Sequence, residues 1–276
     1  MTVLGAGGGS AMLDSVVVSL DEMQYLRETL QISQFPVVLD GGARYDSDVT
    51  HKKMMDAAAE SLAARGLLHG ETVDPDLEDR VRALDRPHWV LAMRWYHNGQ
   101  VSRLCIAKGE AMDVVALLGP GAYTINQAGH DLPGTVVAAL GASEPLPLEG
   151  MNVLTEELEP ILNDSGDSNA TLRRLTEVGR PPRDAQTLAS ALVEITSHAS
   201  IVGVVYGDGT RETADGTINV FNTRNGRFIT TTTRSDDDVH WTSLATGTNA
   251  RLRTAIRDLI HKLPLREEFN PSAGII

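Results

Sequence analysis

A single cysteine, Cys105, stands in 276 residues, so no intrachain disulfide can form and the chain suits a reducing compartment. Positive charge is scarce as well. There are 24 Lys and Arg against 37 Asp and Glu, a net charge of −13. Such a chain repels phosphate backbones, which argues against nucleic acid as a partner. No stretch approaches the roughly 20 apolar residues a membrane helix needs. The first residues lack the basic start and apolar core of a signal peptide. The expectation is a soluble, cytoplasmic protein without membrane insertion. Catalytic signatures are missing too: there is no Ser-centred elbow, no Walker loop and no His-Glu-x-x-His helix. These absences point away from an enzyme, and no cofactor or metal is implied.

What is present, with 42% hydrophobic residues, is enough for one large domain or two intimately packed halves. Gly5 to Ser10 is Gly-rich, but a dinucleotide fingerprint needs a strand before it and only four residues precede Gly5. Residues 1–13 read as a flexible tail. Val16-Val17-Val18 reads as a strand, and Ser19 with Glu22 forms a capping box for a helix carrying Leu20, Met23, Leu26 and Leu30. A second helix spans 50–66, and Asp74-Pro75 opens a third that ends before Pro87. Strands are expected at 89–96, 101–108, 112–118 and 123–127, the first two joined by Asn98-Gly99, a strong hairpin signal. A helix over 132–140 closes this half.

Glu144 to Glu149, with two prolines, reads as a linker. Helices at 153–162, 168–178 and 183–197 follow, then strands at 201–206, 217–222, 227–234 and 240–246. The last helix, 248–263, points Leu252, Ile256, Leu259 and Leu263 inward and Arg251, Arg253 and Arg257 outward. The order of helices, four strands and one helix therefore occurs twice. Marker glycines have matching spacing: Gly109 and Gly129 lie twenty apart, Gly226 and Gly247 twenty-one. This predicts an α+β fold, a quasi-two-fold duplicated domain with a central antiparallel β-sheet. Its halves, 14–143 and 150–264, form one intimately packed domain, and 265–276 is a tail.

Asp236-Asp237-Asp238 with His240 reads as a solvated turn, since three consecutive residues in a turn cannot converge on one ion. His88 and His97 flank a strand and read as surface or packing residues, and Cys105 reads as a buried inert thiol. The run Thr230 to Thr233 is more informative. Ile229, Thr231 and Thr233 share one face of a strand, and Phe228, Thr230 and Thr232 take the other. One face must meet helices. The other presents hydroxyls beside methyls, which suits a partner's backbone and apolar contacts. An ordinary solvent-facing strand is the other reading.

Pieces spread over nearly the full length resemble the EspG family, cytosolic chaperones of mycobacterial and related actinobacterial type VII (ESX) secretion. They are Val-Val-Val-Ser-Leu-Asp-Glu at 16–22, Phe35-Pro36, Leu-Ala-Ala-Arg-Gly at 62–66, Val-Asp-Pro at 73–75 and Arg86-Pro87. The second half adds Asn222 to Arg227, Trp241, and Gly247-Thr248 leading a helix to Leu263-Pro264. The resemblance implies a quasi-two-fold fold with N- and C-terminal helical groups. It also implies a partner, a PE–PPE heterodimer bound at the PPE tip and kept soluble for export by a monomer or weak dimer of this chain. The family's contact surface, its central sheet and C-terminal helical group, would include Thr231, Thr233, Ile229 and Asp215, so the resemblance implies that the face of Ile229, Thr231 and Thr233 is the open one. The sequence departs from the family in carrying Asn222 where Asp is common and a short connection at Asn98-Gly99. Two alternatives stand beside this reading: a homologue binding another helical export or regulatory protein, and an enzyme.

Overall fold

The computed structural model describes residues 13, 15–39, 45–179, 182–207 and 210–268, so the Gly-rich segment 1–12 lies outside the described residues. In chain order the elements are β1 (Val16–Ser19), α1 (Leu20–Thr29), α2 (Asp48–Ala64), β2 (Leu68–His69), β3 (Thr72–Val73), α3 (Pro75–Arg82), β4 (Trp89–His97), β5 (Gln100–Lys108), β6 (Asp113–Leu118), β7 (Ala122–Gln127) and α4 (Leu132–Leu140). The second run is β8 (Met151–Leu154), α5 (Thr155–Asn163), α6 (Ser168–Glu177), α7 (Pro182–Leu192), β9 (Ile195–Tyr206), β10 (Arg211–Thr223), β11 (Gly226–Arg234), β12 (His240–Thr246) and α8 (Asn249–His261). No described helix is long and apolar enough to cross a membrane.

Local chemistry accounts for many boundaries. Ser19 Oγ accepts from the Glu22 N–H (3.1 Å) and Glu22 Oε2 from the Ser19 N–H (2.7 Å), so the capping box is complete. The same carboxylate accepts from Ser61 Oγ at 2.7 Å and Arg65 at 3.0 Å, which ties α1 to α2. Asn98 (φ 50°) and Gly99 (φ 71°) both adopt left-handed backbone, as a two-residue type I′ hairpin requires.

Ten strands form one antiparallel sheet in the order β1-β7-β6-β5-β4-β9-β10-β11-β12-β8. Outward from the β4–β9 seam, one side runs β5, β6, β7, β1 and the other β10, β11, β12, β8. The outermost strands β1 and β8 each lead directly into a helix, α1 and α5. The first face of the sheet carries two helical groups. Met23, Leu26, Leu62, Leu77 and Val81 of α1–α3 pack over β4–β7, and Leu158, Ile161, Leu175 and Leu188 of α5–α7 pack over β8, β11 and β12. The second face is crossed by α4 and α8, whose Val136, Leu140, Leu252, Ile256 and Leu259 meet the middle strands.

Three elements differ from the sequence reading. Met151–Leu154 is an edge strand, not a helix start. Its residues alternate between buried and outward positions and pair with β12, while Thr155 and the acids after it begin α5. Helix α7 stops at Leu192 because residues 195–200 join β4 and β10, and this pairing overrides the helical pattern. Strand β10 begins at Arg211, and a bulge between Thr213 and Thr217 interrupts it at Gly216 (φ 107°). At the C-terminus Arg266 is docked rather than loose: its N–H donates to His88 Nδ1 at 3.2 Å.

Candidate functional site

Helix α8 carries two adjacent stripes. Leu252, Ile256 and Leu259 are buried against the sheet. Arg253 makes a two-pronged ion pair with Asp131, the N-cap of α4, at 2.8 Å to each oxygen. That hydrogen bond from Arg253 is the main reason the Asp131 carboxyl is held below its ordinary pKa. The helix is thereby fastened to α4 on one flank. Its other flank, with Ala250, Thr254 and Ala255, stands over β10–β12 with side chains too short to fill the gap. The result is a groove of about 440 Å³. Ile218, Ile229, Ala245 and Leu259 give it an apolar floor, Thr217, Thr231 and Thr233 add hydroxyls, and Arg251, Asp258 and Lys262 stand at its rim.

The structure separates the residues expected to act together. Ile229 is 4% exposed and belongs to the core beneath α8, so the expectation of an open face at Ile229 is corrected: Leu252, Ile256 and Leu259 cover that end of β11. Thr231 is half-buried and Thr233 exposed, and both line the groove. Thr233 is the register partner of Trp241, itself 41% exposed. On the opposite face Phe228 is fully buried among α5–α7, Thr230 accepts from Asn219 Nδ2 at 3.3 Å, and Thr232 lies 3.4 Å from the Thr242 hydroxyl. Helices thus cover both faces at the Phe228–Ile229 end, and the second face opens only towards 231–233. Asp215 is exposed beside Gly216, and it adds to the field that holds Arg234 charged, whose main source is Asp238.

The other candidates have structural surroundings. Cys105 is fully buried, and burial pushes its thiol far above the ordinary range, so no thiolate nucleophile is available. His97 lies 3.1 Å from Ser102 Oγ, and its ring is tilted against that of Trp95 with centroids 4.2 Å apart. Asp238 is paired with Arg234. Among the described residues no three His, Cys, Asp or Glu side chains converge as a metal site would require.

The segment Asn222 to Arg227 is an anchor. Arg227 is fully buried. Its Nε donates to Asn222 Oδ1 at 2.6 Å, and one Nη donates to the carbonyls of Leu140 (3.1 Å) and Gly141 (3.0 Å) at the C-terminal end of α4. Its backbone pairs with Glu144 and Leu146 of the linker. Gly247 is required here, since a Cβ on it would lie 2.4 Å from Arg227 Cγ and 2.7 Å from the Arg227 carbonyl oxygen. The sequence pattern showed these residues but not their task. It also missed His198, which stacks between Tyr96 and Phe221, where burial lowers its pKa against the opposing effect of a hydrogen bond to the Asn219 side chain.

The sequence model of the EspG family matches residues 19–258. The chain is 24% identical over 266 residues to the ESX-1 secretion-associated protein EspG1 of Mycobacterium marinum (strain ATCC BAA-535 / M), covering 94% of this chain and 92% of that protein. Its fold is similar to a solved structure of the Mycobacterium tuberculosis type VII secretion system chaperone EspG5 in complex with a PE25–PPE41 dimer. The TM-score is 0.74 at 14% identity, covering 91% of this chain and 97% of that one.

Proposed function

The chain belongs to the EspG family, and from that premise we propose that it is a cytoplasmic, non-enzymatic chaperone of type VII secretion that binds PE–PPE heterodimers and keeps them soluble for export. The observation that carries this reading is the extent of the family match, which runs from the capping residue of α1 into the last helix and so spans both halves of the sheet. A surface of hydroxyls over an apolar floor suits a partner that exposes apolar side chains and would otherwise aggregate. The contact surface proposed here is the groove beside α8, with Thr231 and Thr233 at its open end, Asp215 next to it, and Ile229 contributing only to its floor.

Co-expression with PE–PPE pairs from the same organism tests the reading. A pair should move into the soluble fraction and co-elute with the chain on size exclusion. If no pair co-elutes, the function is wrong. The double substitution Thr231→Arg and Thr233→Arg tests the surface. It would bury an unpaired cation in the interface, at a cost of several kcal/mol. Both positions lie outside the packed core, so the melting temperature should hardly move while binding is lost. Binding that survives the double substitution would move the contact elsewhere and leave the function standing.

A further inference from the structure

Three charged side chains at the groove are left without a partner. On the far flank of α8, Arg253 is engaged by Asp131, and Arg257 adds to the positive field on the same carboxylate. Arg251, Asp258 and Lys262 are all exposed and make no side-chain ion pair or hydrogen bond among the described residues. They are spaced seven and four positions apart, so they share the one stripe of the helix that lines the groove. That stripe has a polarity. Helix α8 follows β12 through Gly247 and Thr248, so Arg251 stands at the β12 end. Towards the other end of α8, Leu263 packs on Gly203 of β9, and Leu259 lies against the β10 bulge, where a Cβ on Gly216 would meet its Cδ1 at 3.7 Å. Asp258 and Lys262 flank Leu259 there, and exposed Asp215 adds a second carboxylate beside the bulge. Arg234 is already paired with Asp238, so the carboxylates at this end outnumber Lys262. The groove is therefore positive at the start of α8 and negative at the bulge, and the helix dipole has the same sense.

We propose that this polarity fixes the direction in which a partner's segment lies in the groove, an inference that rests on the function and contact surface proposed above. The segment carries a carboxylate beside Arg251, an apolar side chain over the floor of Ile218, Ile229 and Ala245, and a cation beside Asp258. Seven residues of helix separate Arg251 from Asp258, a span of about 10 Å. The partner's two charges therefore lie about two turns apart if the segment is helical, or about three residues apart if it is extended. A segment laid the other way would set like charges against each other at both ends. Arg251 and Asp258 thus determine specificity, while the floor and the Thr231 and Thr233 hydroxyls provide the contact area.

Two opposite charge reversals separate polarity from net charge. Arg251→Glu makes the chain more acidic, and Asp258→Lys makes it less acidic. Titration calorimetry at low salt, with a PE–PPE pair that co-elutes with the wild-type chain, should show each variant binding about fivefold or more weakly than wild type. Raising the salt concentration should shrink both differences, because these side chains are exposed. Arg251→Gln and Asp258→Asn should act in the same direction to a smaller extent, and they decide the matter if a reversal disturbs folding. An Asp258→Lys chain that binds as tightly as wild type, or more tightly, would show that only net charge counts. An Arg251→Glu chain that binds like wild type would remove the positive end. Either result overturns the proposal. Binding that survives Thr231→Arg with Thr233→Arg also overturns it, by moving the contact out of the groove while the function stands. Failure of every pair to bind the wild-type chain removes the function and this inference together.

Discussion

Replacing Arg227 by Met tests whether the anchor at the end of α4 holds the fold together. Met keeps most of the volume and removes the charge and all donors. Three hydrogen bonds from the guanidinium are lost, to Asn222 Oδ1, Leu140 O and Gly141 O. Hydrogen bonds to a charged group contribute about 1.5–3 kcal/mol each, hence roughly 5–9 kcal/mol in gross terms. Against this stands the cost of burying the guanidinium, several kcal/mol, to which the unpartnered second Nη adds. The two carbonyls and the Asn222 oxygen would also be left in a dry site. The balance is an expected loss of about 2–4 kcal/mol for Arg227→Met. In a domain of this size that lowers the melting temperature by roughly 5–15 °C. Urea unfolding followed by circular dichroism gives the free energy directly. A variant as stable as wild type, or more so, would show that desolvation outweighs the three bonds and would refute the reasoning.

Three further outcomes are expected. Thr171 is fully buried in α6 and its hydroxyl has no hydrogen-bond partner, so Thr171→Val should raise stability by about 1 kcal/mol, and a clear loss would mean the hydroxyl does find an acceptor. Asp131 has a depressed folded pKa, so its contribution is present above the unfolded carboxylate value of about 3.9 and disappears as pH falls through the lower folded value. Asp131→Asn should therefore flatten the acid limb of a stability–pH curve, and identical acid limbs would remove Arg253–Asp131 from the account. The halves 14–143 and 150–264, expressed separately, should aggregate, because each exposes one side of the β4–β9 seam as a long unpaired edge; a soluble, folded half would show that the two are independent domains.

The sequence was most informative where a boundary is set by nearest-neighbour chemistry. Ser19 with Glu22, Asn98-Gly99 and the limits of α4 at Leu132 and Leu140 all follow from residues within a few positions of one another. It was least informative where a distant strand decides. Nothing local tells Met151–Leu154 to be strand until β12 lies beside it, and residues 195–200 satisfy a helical pattern until β4 and β10 claim them. The candidate site shows the same division. Strand parity correctly grouped Ile229, Thr231 and Thr233, but which part of that face stays open depends on where α8 lies. That position is set by Leu252, Ile256 and Leu259 packing against α4 and the middle strands, with Arg253 reaching Asp131 at the surface across 122 positions of sequence. The small side chains at 250, 254 and 255 have no periodic signature of a groove, since Ala and Thr are equally at home on a solvated helix.

The seam between β4 and β9 also has a consequence in time. β4 to β7 and β9 to β12 are each a meander of sequential hairpins that can close locally, whereas the seam joins residues such as Met93 and Ile201, more than a hundred positions apart. Non-local closure of this kind is slow compared with hairpin formation. On a ribosome adding about 5–20 residues per second, β4 emerges roughly 5–20 s before its partner exists. Once β7 has emerged, the first meander is complete except for one side of the nine-residue strand β4. The open side of β4 is an aggregation-prone edge for those seconds, a kinetic exposure that the stability of the finished sheet does not report.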